Sequence, residues 1–222
     1  MVKKKVYPFF IKLDSLKDLA RLSCALERTP LPLFHYNNIL MTQMGEIEGS
    51  PLFYYINTEE KNEYLAFRNN SGLEEVIFTD NAKLPTYTYS PIISLAKLPK
   101  PFEEAFKAEP KNFKKFTSIE LKDLSSLTKI CAYRLLFEET PLPIFAFKLK
   151  DKVILGTFSK LNENSEFSNL FFYLPLEDFP QSNYVRYGVG KGEVKFSNRI
   201  DETGYIFVKI VKLAKPHPLV DL

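Results

Sequence analysis

The sequence predicts an α+β protein built as a tandem duplication of a β-α-(antiparallel β) unit, giving two pseudo-symmetric β-rich halves. Three observations predict it: a self-match at constant spacing, an apolar helical stripe early in each half, and a run of short strand-like segments after each stripe.

The self-match comes first. Ser15-Leu16 faces Ser126-Leu127, and Glu27, Thr29-Pro30-Leu31-Pro32 and Phe34 face Glu138, Thr140-Pro141-Leu142-Pro143 and Phe145, all 111 residues apart with no gap. Towards the ends the spacing reads as 115: Lys97-Leu98 faces Lys212-Leu213, and Lys100-Pro101 faces Lys215-Pro216. The second copy therefore carries about four inserted residues. Two copies are too few for a solenoid, so a pseudo-symmetric pair is expected. The boundaries read as residues 1–101 for the first copy, 102–113 for a linker, and 114–222 for the second copy with a short C-terminal tail. Within the linker, Phe102 and Phe106 lie four apart, predicting a short helical turn closed by Pro110.

Each copy opens with an extended segment, 5–13 and 116–124. A helix follows. Its stripe is Leu13, Leu16, Leu19, Leu22 and Leu26 in the first copy and Leu124, Leu127, Ile130, Cys131 and Leu135 in the second. That three-to-four spacing makes one apolar face, with Leu16, Leu19, Leu127 and Ile130 expected in the core. Ser15 is the expected N-cap of the first helix and Ser125 of the second. The Thr-Pro-Leu-Pro run then ends each helix, because proline lacks a donor and pushes its predecessor to an extended conformation. A hairpin comes next, turning at Asn37-Asn38 in the first copy and at Lys150-Asp151-Lys152 in the second. The remaining runs read as strands, mostly antiparallel because the connections are too short for parallel crossovers: 51–57, 64–68, 75–78 and 87–98, then 170–176, 184–189, 193–196 and 205–213.

Composition sets the broad class. Of 222 residues, 45% are hydrophobic and 26% charged, the balance of a globular chain rather than a disordered one. The net charge of +3 permits an anionic partner without requiring one. A lysine-rich chain with glutamine only at Gln43 and Gln181 leans towards a thermophile, and 13 asparagines lean the other way. Cys24 and Cys131 are too few for a disulfide framework and read as reduced thiols on helices. No segment reaches the length of a membrane span or has the make-up of a secretion signal, so a cytoplasmic protein with no membrane partner is expected.

Candidate chemistry is sparse. His35 falls in the first hairpin, where Ala146 stands in the second copy, and no nucleophile lies at a defined spacing from it. His217, between Pro216 and Pro218, is expected to face solvent. Cys24, Cys131, His35 and His217 lack the close-spaced ligand pairs of a zinc site, and no metal or cofactor is expected. Gly188-Val189-Gly190-Lys191-Gly192 precedes a strand rather than a helix, so it reads as a hairpin turn and not a phosphate loop. Adjacent acids such as Glu74-Glu75 point to opposite sides of a strand and read as surface. Lys111, Lys114 and Lys115 stand beside Phe113 and Phe116, while Arg186, Lys191 and Lys195 stand near Tyr184 and Tyr187. Lysines interleaved with rings can track phosphates and stack on bases, so these six are the candidate nucleic-acid contacts. The functional expectation is a non-catalytic binding or accessory subunit whose partner is a protein or a nucleic-acid assembly. A pocket protein for an apolar small molecule and an enzyme of unfamiliar type are the alternatives.

Overall fold

A computed structural model describes residues 8–24, 30–47, 50–70, 73–98, 100, 103, 117–133, 141–159, 170–217, 220 and 222. Glu27, Thr29, Glu138, Thr140 and the linker apart from Glu103 lie outside them. The chain divides into two compact units, Met1–Asn112 and Phe113–Leu222.

The first unit runs β1 (Phe9–Lys12), α1 (Leu16–Ser23), β2 (Leu33–Tyr36), β3 (Ile39–Ile47), β4 (Ser50–Asn57), β5 (Tyr64–Asn70), β6 (Leu73–Thr79) and β7 (Thr88–Ser94). The second runs β8 (Thr117–Glu120), α2 (Leu124–Tyr133), β9 (Ile144–Leu149), β10 (Lys152–Ser159), β11 (Leu170–Leu176), β12 (Tyr184–Gly188), β13 (Val194–Ser197) and β14 (Tyr205–Lys212). Each unit forms one seven-stranded sheet. The orders are β1-β4-β3-β2-β7-β5-β6 and β8-β11-β10-β9-β14-β12-β13, identical strand for strand. The architecture is thus two similar β-rich halves. With α1 and α2 of only 8 and 10 residues, it is lighter in helix than the α+β class expected.

Both sheets are mixed. β1 runs parallel to β4 and β2 to β7, as do β8 to β11 and β9 to β14; the other pairs are antiparallel. The parallel partners are far apart in sequence. Whole hairpins, and for β1 and β8 the helix too, supply the crossover that short loops cannot.

The hydrogen bonds correct the spacing of the repeat. Leu13 and Leu121, 108 residues apart, donate to the carbonyls of Tyr55 and Tyr173. Leu31 and Leu142, 111 apart, donate to the carbonyls of Ser23 and Cys131, which are 108 apart. Thr42 and Thr157, 115 apart, donate through their hydroxyls to the carbonyls of Pro32 and Pro143. Leu95 and Leu213, 118 apart, donate to the carbonyls of His35 and Ala146. The equivalence therefore steps through 108, 111, 115 and 118 residues along the chain. The gapless match at 111 misplaces the helix by three residues, and the terminal match at 115 is three short. A stripe of three-to-four spacing overlays itself after a three-residue slip, so side-chain pattern cannot separate the registers.

The step from 111 to 115 lies in the hairpin. The β9–β10 ladder has five residue pairs where β2–β3 has three, which adds two residues on each side, while the turn keeps two: Asn37-Asn38 (Asn37 φ 54°) and Lys150-Asp151 (Lys150 φ 57°).

Capping follows the sequence in one helix only. The Asp18 N–H donates to Ser15 Oγ at 3.3 Å. In α2 the cap is Asp123 rather than Ser125: its Oδ1 accepts from the Ser126 N–H at 2.7 Å and from Ser126 Oγ at 2.9 Å. A carboxylate accepts two bonds and suits the positive end of the helix better than a hydroxyl. Those bonds hold the Asp123 carboxyl below its ordinary value.

Each helix covers one face of its sheet. Under α2 the core is Leu127, Cys131, Ile144, Ala146, Leu155, Leu174, Val185, Val208 and Ile210. In α1, Leu19 and Leu22 are fully buried. Leu16 and Ile130, expected in the core, are half-buried, because each lies at the margin of its stripe. The face away from α1 carries Met41, Phe53 and Leu98 with Phe10, Phe34, Tyr36, Ile39, Tyr55 and Leu95 against them.

Candidate binding surface

β6 shows how strand alternation divides chemistry between two faces. Glu74 turns towards α1, where its carboxylate takes both Nε and NH2 of Arg21. Arg21 NH1 also reaches Asp18 Oδ1 at 2.7 Å, and all three side chains are at least 94% buried. The next residue, Glu75, must point to the face away from α1. There it pairs with Arg68, its direct cross-strand neighbour on β5. The Arg68 guanidinium lies 5.0 Å from the centre of the Tyr87 ring, and the Tyr87 hydroxyl donates to Glu75. Tyr89 adjoins, 6.5 Å from Tyr87 and 6.0 Å from Tyr64 between ring centres.

The same three groups meet in the second unit. Val185 is in the core beneath α2, so Arg186 points to the opposite face. Its guanidinium lies 4.8 Å from the Tyr205 ring centre, and the Tyr205 hydroxyl donates to Glu193 at 2.8 Å. Arg186 also pairs with Glu193 and Glu202. Arg68 and Arg186, Glu75 and Glu193, and Tyr87 and Tyr205 are each 118 residues apart. The backbone is not quite equivalent. Tyr64 pairs with Thr79 and Tyr184 with Ser197, which makes β5 and β12 equivalent at 120. Arg186 thus sits two residues earlier on its strand, opposite Lys195, and reaches Glu193 diagonally. The trio is rebuilt from a shifted position.

Its electrostatics hold charge in place. The Tyr87 hydroxyl, then Arg68, keeps the Glu75 carboxyl below its ordinary value; Lys195, then Tyr205, does so for Glu193. Tyr87 is pushed up by partial burial and by Glu75, Tyr205 chiefly by its bond to Glu193. Each trio therefore combines an ionised carboxylate, a neutral phenol and a fixed guanidinium near neutral pH. That suits rigid recognition through an arginine stacked on a ring better than proton transfer.

The six candidate nucleic-acid contacts divide. Lys111, Lys114 and Lys115 lie outside the described residues. Arg186, Lys191 and Lys195 converge around Tyr205, with Lys191 Nζ 5.6 Å from its ring centre. Two of the three cations are ion-paired: Lys195 with Glu193, and Arg186 with Glu193 and Glu202. The glycine-rich segment is the β12–β13 turn, with Gly190 and Gly192 at φ 77° and 66°.

The remaining reactive side chains are dispersed. His35 is buried, with Nε2 3.4 Å from the Thr58 carbonyl. His217 is not exposed as expected: it is 2% accessible and packs edge-on against Phe158 at 5.0 Å. Burial pushes its pKa down to about 4. Cys131 is buried, its thiol pushed up to about 12 by that burial. Cys24 caps α1 in a chain of polar contacts with Ser90 and Ser23. No group of three potential metal ligands occurs among the described residues. Among those residues no helix is long and apolar enough to cross a membrane.

Arg68, Glu75 and Tyr87 carry no motif of their own, and from sequence Glu75 reads only as surface. One signal could have found them. At a spacing of 118, Glu75-Val76 and Phe78 overlay Glu193-Val194 and Phe196, and Tyr87 overlays Tyr205. The chain matches no protein-family model, no curated protein and no solved structure.

Proposed function

We propose that the protein is a non-catalytic binding or accessory subunit that engages a protein partner through the sheet faces, turned away from α1 and α2, that carry these trios. One observation carries the reading. The Arg–Glu–Tyr trio recurs in both halves, whereas the Asp18–Arg21–Glu74 network does not: by register its counterparts are Ser126, Lys129 and Gly192. Arginine and tyrosine are the side chains that most often dominate protein interfaces, and a guanidinium already stacked on a ring loses little freedom on binding. The pairing of Arg186 and Lys195 with carboxylates favours a protein over nucleic acid, since fewer cations remain for phosphates.

The test is affinity purification of the tagged chain from its native host, comparing wild type with Arg68→Ala/Tyr87→Ala and Arg186→Ala/Tyr205→Ala. Circular dichroism confirms that each variant is folded. The expected result is a co-purifying protein whose recovery falls at least about tenfold with one or both variants. Equal recovery would overturn the reading, as would recovery abolished by nuclease or a small molecule as the sole companion.

A further inference from the structure

The edges of the two sheets differ in a way the repeat makes visible. Among the described residues β1 and β6 are the edge strands of the first sheet, and β8 and β13 of the second. β1, β8 and β13 have four residues each, whereas β6 has seven and pairs with β5 alone. Exposed edges present unpaired N–H and C=O groups, and proteins protect them by shortness or by an outward lysine. β13 has both protections, with the Lys195 side chain 62% exposed. The equivalent residue of β6, 118 positions earlier in an otherwise similar Glu-Val-x-Phe segment, is Ile77. The two charges β6 carries do not guard its edge either, because Glu74 is tied to Arg21 and Glu75 to Arg68.

We propose that β6 is an interaction edge that pairs antiparallel with β6 of a second copy of this chain, about a two-fold axis at Ile77. That register sets Ile77 on Ile77, Val76 on Phe78 and Glu75 on Thr79. An apolar triplet meets itself, and each Glu75 faces a hydroxyl; Glu74, whose charge Arg21 already takes, falls opposite Asp80 at the end of the paired segment. Self-complementarity of this kind is what an isologous contact requires. A partner strand rich in charge would gain nothing here, since both β6 carboxylates are already satisfied within their own unit.

Two measurements on the full chain test this. Sedimentation velocity from about 1 µM to about 500 µM should show a reversible monomer–dimer equilibrium. Hydrogen exchange at the two ends of that range should show alternate amides within Glu75–Thr79 slowed at least about tenfold in the dimer, with β13 unchanged. Ile77→Lys places the lysine of the second copy at the same position and sets two ammonium groups against each other on the axis. It should weaken the dimer at least about tenfold while leaving the melt of the monomer close to wild type. A chain monomeric throughout would overturn the proposal. So would a dimer in which exchange across Glu75–Thr79 does not change, a result that needs no variant to fold.

Discussion

Replacing Arg21 by alanine should destabilise the first unit more than any surface substitution. Arg21 bridges Asp18 on its own helix and Glu74 on β6, and the exposures of the three side chains are 6%, 0% and 3%. Asp18 also accepts from Ser15 Oγ at 2.8 Å, so it keeps one partner, whereas the bidentate contact on Glu74 is lost. Removing one member of a buried ionic group leaves charge without compensation and costs about 3–5 kcal/mol. With a urea dependence of about 2 kcal/mol per molar, a cost near 4 kcal/mol lowers the unfolding midpoint by about 2 M. Urea titration followed by far-ultraviolet circular dichroism measures it. The control is Asp18→Leu/Arg21→Met/Glu74→Leu, which removes all three charges together and should fall within about 2 kcal/mol of wild type. A midpoint for Arg21→Ala within about 0.5 M of wild type would refute the claim that this network is a desolvated unit holding α1 to β6.

Three further outcomes follow from the packing. His217, driven down to about 4 by burial against an ordinary 6.5, takes up its proton more readily in the unfolded chain. It contributes stability that is complete above pH 6.5 and lost as the pH falls towards 4, about 3 kcal/mol in all, and His217→Phe should remove that part of the difference between urea midpoints at pH 7 and pH 4.5. Gly156→Ala should cost about 1–3 kcal/mol in the same titration, because a Cβ there would meet three carbons of the buried Phe171 ring. Under native conditions at pH 8, a thiol reagent followed by intact mass spectrometry should modify Cys24 well before Cys131, whose thiol is buried and raised to about 12.

The sequence by itself determined the duplication, the helix–hairpin succession in each half and the positions of nearly all the strands. These rest on local signals: proline pairs end helices, Asn37-Asn38 turns a hairpin, and an apolar stripe needs a sheet to cover it. It also placed Glu74 and Glu75 on opposite sides of a strand, since alternation is a local property, but read both as surface, whereas Arg21 on α1 buries Glu74. Only the tertiary structure decided which strands neighbour one another, and with what register. The parallel β1–β4 and β2–β7 pairs join residues about 40 to 60 positions apart, so no local pattern encodes them. The three-residue slip between the helices is not encoded locally for the same reason: a periodic stripe matches itself at several offsets, and a hydrogen bond such as Leu13 to Tyr55 selects one. The burial of His217 is likewise decided by distant chain, as Phe158 provides the surface that its flanking prolines do not suggest. The trio of Arg68, Glu75 and Tyr87 comes from β5, β6 and the residue just before β7, and its members become one group only when β5 lies between β6 and β7.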